Sequence, residues 1–131
     1  MTIIRAIFSV QSWQEQAVHG GDDPPRVTRV ATDRRYTGEL EGHGVASYHI
    51  AYPLERPPYF TGFEHFSGSC GGRVGTLLIQ LSGEFGADGV VTEHAQIVPS
   101  SGTGGLAGAT GEGGWRSAHA ESYPLTLNIE F

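Results

Sequence analysis

The chain has 131 residues with 8 basic and 14 acidic side chains, a formal net charge of −6. That length fits one domain with a sizeable core and no linker, and the acidic balance argues against a nucleic-acid or anionic-membrane partner. All basic residues are arginines, which excludes Schiff-base, pyridoxal-phosphate and lysine general-base chemistry, and the single cysteine, Cys70, excludes an internal disulfide.

The first ten residues, MTIIRAIFSV, lack the basic region, long apolar core and small-residue cleavage site of a secretory leader. No run of about 18 apolar residues exists to span a membrane. The expectation is a cytoplasmic protein with no membrane partner. Twenty glycines and seven prolines leave few windows for a helix, while Val, Ile, Thr, Tyr and Phe recur in short blocks between Gly and Asp punctuation. This predicts an all-β fold.

The strands are predicted at Ile3–Trp13, Val27–Tyr36, Glu39–Tyr52, Phe60–Ser69, Arg73–Phe85, Gly89–Val98, Trp115–Ala118 and Ser122–Phe131. A polar loop, HGGDDPPR, follows the first. In the third strand Leu40, Gly42, Gly44, Ala46, Tyr48, Ile50 and Tyr52 share one face, with Glu39, Glu41, His43, Ser47 and His49 opposite. The last strand repeats the alternation with Tyr123, Leu125, Leu127, Ile129 and Phe131.

The hairpin from Phe60 to Phe85 carries the most information. A two-residue turn at Cys70–Gly71 puts Phe60, Gly62, Glu64, Phe66 and Gly68 on the same face as Arg73, Gly75, Leu77, Ile79 and Leu81. Glu64 and Arg73 then both point into the apolar side, where an unpaired charge is costly. They are predicted to pair there, either as a general base and anion anchor or as a structural salt bridge that fixes the hairpin register. Tyr48 and Tyr52 face the same interior and supply phenol donors to a ligand or to the backbone.

Evenly spaced antiparallel strands joined by short turns favour a closed barrel of about eight strands, with a two-sheet sandwich as the alternative. Inner-face glycines at 42, 44, 62 and 75 are expected to leave empty space, and a barrel of this size either fills its interior or holds one small molecule.

The segment SGTGGLAGATGEGG, Ser101–Gly114, contains the G-x-G-x-x-A spacing of a dinucleotide-binding turn. That fingerprint needs a helix leading out of it, and Gly108, Gly111, Gly113 and Gly114 forbid one. The segment reads as a loop at a barrel rim, where it could also serve as a lid over the mouth.

Three runs, FTGFEHFSGSCGGRVGTLLIQLSG, PSSGTGGLAGATGEG, and FSVQSW with YTGELEGHG, together resemble a bacterial family of unknown function. The resemblance covers nearly the whole chain and implies an allene-oxide-cyclase-like barrel. Members of that family commonly carry histidine at the position of Leu81 and glutamate at that of Gly105, so this chain lacks two polar groups found in its relatives.

Six histidines, at 19, 43, 49, 65, 94 and 119, form no metal-ligand pattern, and no metal or other cofactor is expected. Cys70 lies in a turn with nothing to lower its pKa, and SSGTG is not a nucleophile elbow. Two functions remain. One is a cofactor-free cyclase or isomerase that holds a flexible lipid-like or polyketide-type substrate in one conformer. The other is a non-catalytic carrier of a small hydrophobic ligand. Both place a small apolar molecule among Tyr48, Tyr52, Phe60, Phe66, Leu77, Ile79 and Leu81, oriented by Glu64 and Arg73, and homo-oligomerisation is open to either.

Overall fold

Period-two alternation of buried and exposed residues runs through the strands of the computed structural model, which describes residues 2–19 and 21–131. There are eight strands: β1 (Thr2–His19), β2 (Arg26–Gly38), β3 (Leu40–Tyr52), β4 (Tyr59–Cys70), β5 (Arg73–Phe85), β6 (Val90–Ile97), β7 (Thr110–Ala118) and β8 (Tyr123–Glu130). Each pairs antiparallel with the next, and β8 returns to β1 from Thr2↔Ile129 to Phe8↔Tyr123. The sheet is therefore a closed barrel and not a sandwich. One turn of 3-10 helix, Gly104–Leu106, interrupts the β6–β7 connection. No helix among the described residues is long and apolar enough to cross a membrane. Gly20, in the loop expected after the first strand, lies outside the described residues.

Two strands, β7 and β1, run at least five residues beyond their expected bounds. β7 begins at Thr110 because Gly111, Gly113 and Gly114 pair with β8 instead of forming loop. A Cβ on Gly113 would come within 1.9 Å of the Thr126 carbonyl oxygen, so these glycines permit close strand approach. β1 continues to His19, past a register shift between Val10 and Ser12. This bulge carries the inner face from Phe8 and Val10 on to Trp13 and Glu15, whose β2 partners Thr32 and Val30 are buried. Because the β1–β8 ladder stops at Phe8 while the β1–β2 ladder runs on, the far half of β1 has no neighbour on its β8 side. The wall is open there.

The β4–β5 turn is Gly71–Gly72, with Cys70 facing Arg73. The predicted turn was one residue earlier, which leaves the faces correct but moves every cross-strand partner by two residues, so Glu64 faces Ile79. Arg73 sits on the last rung, where no wall continues beyond it. Its guanidinium turns out of the barrel and lies 4.2 Å from the centre of the Phe131 ring. The expected Glu64–Arg73 ion pair does not exist.

The inner glycines likewise do not leave empty space. A Cβ on Gly44 would fall 1.8 Å from Glu64 Oε2, so the missing side chain is the volume that the Glu64 carboxylate fills. Gly62 is overlaid by Tyr48 and Gly75 by the carbonyl of Thr103.

Within the Ser101–Gly114 segment, the part from Ser101 to Ala109 closes one end of the barrel. Thr103 N–H donates to the Thr76 carbonyl at 3.0 Å, Ser101 Oγ accepts from Leu78 N–H at 3.1 Å, and Leu106 and Ala109 are fully buried. This end also holds the first residues of β3 and β5 and the last of β4, where Leu40 and Cys70 are buried. It is a plug bonded to the barrel.

Candidate functional site

On β2 the inward positions are Thr28, Val30, Thr32, Arg34 and Tyr36, all buried. On β6 they include Glu93, Ala95 and Ile97. From β2 through β3, β4 and β5 to β6 is half of the eight-stranded circuit, so Arg34 and Glu93 start from opposite walls. They meet in the middle. Arg34 Nη2 donates to Glu93 Oε1 at 2.8 Å and Nη1 donates to Glu93 Oε2 at 2.9 Å, the bidentate geometry that suits guanidinium to carboxylate. Arg34 Nη1 also reaches Glu64 Oε1 at 3.3 Å.

Further donors complete the network. Tyr36 hydroxyl donates to Glu64 Oε2 at 2.6 Å, and Trp115 Nε1, on the strand beside Glu93, donates to Glu93 Oε2 at 2.8 Å. The guanidinium lies over the Phe8 ring, 4.7 Å from its centre. Arg34 is 4 % exposed, Glu64 1 % and Glu93 3 %, so three charges are held almost wholly out of water. Burial pushes the Glu64 carboxyl above its ordinary value, opposed by Arg34 and the Tyr36 hydrogen bond. Burial also raises the Tyr36 and Tyr48 phenols, which are therefore neutral donors at neutral pH. For Arg34, burial disfavours the charge, but Glu93 and Glu64 overcome it and the guanidinium titrates well above its usual range.

This crossbar separates the plugged end of the barrel from an open one. Above it lies a cavity of about 850 Å³, within the range of small-molecule sites. Phe8, Trp115 and Tyr123 form one wall, with ring centres 4.7–5.5 Å apart. Tyr48, Phe60 and Phe85 form another at 5.0 and 5.3 Å, and Trp13 stands edge-on to Tyr48. Arg34 and Glu93 provide the polar floor, and His119, Ala120 and Glu121 from the β7–β8 connection line the mouth beside Val10 and Trp13. The mouth is thus the gap left where β1 outruns β8, at the opposite end from Ser101–Gly114. A lid role for that segment over this mouth is excluded by its position.

Of the residues singled out from sequence, Tyr48 and Phe60 line this cavity. Phe66, Leu77, Ile79 and Leu81 are buried in the packed core and do not reach its wall. Glu64 belongs to the crossbar but not to the cavity lining, and Arg73 is outside altogether. Tyr52 lines a separate depression with His19, Arg26 and Tyr59, and its hydroxyl donates to Glu15, which also accepts from Thr28. Arg34, Glu93, Phe8, Trp13, Phe85, Trp115 and Tyr123 were not anticipated. Glu93 shares its face with Val91, Ala95 and Ile97, so the parity argument that picked out Glu64 would have found it. Arg34 was hidden by its neighbour Arg35 and by the threonines that make both faces of β2 look polar.

No His, Cys, Asp and Glu cluster among the described residues is arranged to hold a metal ion. The family described as "Protein of unknown function (DUF3224)" matches residues 4–129. The chain belongs to the DUF3224 family. Among solved structures it is similar to a DUF3224 protein of unknown function from Shewanella oneidensis MR-1, at 23 % identity and a TM-score of 0.83, over 100 % of this chain and 98 % of that one. At that identity the likeness speaks for the fold, and a DUF3224 barrel is what the eight strands build. No curated protein matches the chain.

Proposed function

We propose that this DUF3224 barrel binds one small, largely apolar molecule in the cavity above the Arg34–Glu93 crossbar. The observation that carries the reading is the cavity itself: about 850 Å³, walled by aromatic rings, with the Arg34–Glu93 pair as its floor. Because the crossbar ties opposite walls together below the cavity, an occupant would fill existing space without disturbing the packed end. The Tyr48 hydroxyl would be available to a polar atom on the ligand.

Binding or carriage is favoured over acid–base catalysis. Glu64, the carboxyl with the raised pKa, is outside the lining, and Glu93 already accepts three hydrogen bonds. A cofactor-free cyclase or isomerase working in this cavity would act by holding one conformer of its substrate. A cytoplasmic setting is part of the proposal, in keeping with the unpaired Cys70.

Titration with the neutral probe N-phenyl-1-naphthylamine tests the reading. Saturable binding to one site is expected, abolished in Val91→Trp, which fills the cavity from its β6 wall. A folded Val91→Trp variant that keeps the native affinity would remove the cavity as the site.

A further inference from the structure

The cavity has a sign as well as a size. Its two walls are built from aromatic rings, whose faces are the negative part of the quadrupole and attract an organic cation that has left its hydration shell. The charges agree with the walls. On the floor Glu93 balances the one positive charge of Arg34, and Glu64, outside the lining, is held to the same guanidinium at 3.3 Å. Glu121 adds another carboxylate at the mouth, and His119 is the one remaining basic side chain of the lining. The Phe8 face already carries a cation, the Arg34 guanidinium at 4.7 Å, so the wall demonstrably accommodates this contact.

We infer that the ligand is a lipophilic organic cation, a small amine or quaternary ammonium with an apolar body. This rests on the cavity being a binding site and specifies what enters it. The buried arginine does not make the floor an anion site. Both of its terminal nitrogens are engaged by carboxylates, its Nε is buried, and an anion on the floor would stand beside Glu93. A cation meets the Glu93 and Glu121 carboxylates and the aromatic walls, against a single guanidinium already paired with carboxylates. A neutral molecule gains only the apolar contact.

Three compounds with one body and three heads decide the matter: 4-phenylbutylamine, 4-phenylbutan-1-ol and 4-phenylbutyrate. The chain's two tryptophans, Trp13 and Trp115, both line the cavity, so intrinsic emission reports their entry directly. At pH 7.5 and low salt the amine is expected to bind about tenfold more tightly than the alcohol, with the acid weakest. Glu93→Gln would loosen the crossbar and risk the fold, so the native protein carries the test, supported by Glu121→Gln at the exposed mouth. There the amine-to-alcohol ratio falls by about twofold, as for one partly screened charge; an unchanged ratio counts against the inference. If the alcohol binds as tightly as the amine, or the acid binds best, the cation preference is overturned while the cavity remains a ligand site. If none of the three binds and N-phenyl-1-naphthylamine also fails, both readings fall together.

Discussion

Arg34 and Glu93 join opposite walls of an eight-stranded barrel through two hydrogen bonds of 2.8 and 2.9 Å, with Glu64 held to the same guanidinium at 3.3 Å. Removing the guanidinium would strand two buried carboxylates. Arg34→Met is therefore expected to destabilise the fold by about 3–5 kcal/mol in urea denaturation. The combined change Arg34→Met, Glu64→Gln, Glu93→Gln should cost less than Arg34→Met alone, because it leaves no uncompensated charge. A triple variant less stable than the single one would show that the network stabilises by more than charge pairing.

Arg73 provides the contrast. It lies outside the barrel and touches the ring of Phe131, which is 46 % exposed. Arg73→Met is expected to change stability by no more than about 1 kcal/mol, the scale of an exposed cation–π contact. A loss as large as that for Arg34→Met would mean that Arg73 reaches a buried carboxylate.

Glu64 gives the stability a pH dependence of defined sign. Its carboxyl is raised by burial above the ordinary value of 4.5, so between 4.5 and its folded pKa the native state holds a proton that the unfolded chain has released. Stability from this group is complete below pH 4.5 and declines as pH rises through the folded pKa. The difference in unfolding free energy between the native protein and Glu64→Gln should shift against the native protein as pH rises through that window. Denaturation of both proteins from pH 4 to 8 measures it, and a difference moving the other way would mean that Arg34 and Tyr36 outweigh burial.

The β6–β7 connection should behave as a plug. Leu106 is fully buried at the closed end, so Leu106→Ala is expected to cost about 2–5 kcal/mol. The affinity and entry rate of N-phenyl-1-naphthylamine, measured well below the midpoint of unfolding, should not change. A faster entry rate in this variant would place a ligand path at the wrong end.

The all-β class and the faces of β3, β4, β5 and β8 were legible in the sequence because side-chain direction in a strand alternates with period two, whatever the strand pairs with. The same parity identified Glu64 as an inward charge. It could not identify the partner. Parity gives a face but no depth, and Arg73, on the correct face, stands on a rung beyond the end of the wall. The glycines at 44, 62 and 75 were correctly placed inside, yet whether a missing Cβ leaves a hole depends on the neighbouring strand, and here Glu64, Tyr48 and Thr103 occupy the volume.

The sequence by itself determined the strand content, the inward and outward faces, and the absence of a helix after the glycine-rich run that resembles a nucleotide turn. These are local properties, set by steric preference and alternation within a few residues. Only the tertiary structure decided that Arg34 and Glu93, 59 positions apart, meet across the lumen. It alone decided that the glycine-rich loop plugs one end and that the mouth opens at the other. Those outcomes depend on how many strands close the ring and on the bulge that lets β1 outrun β8, and both are set by pairing along the whole chain.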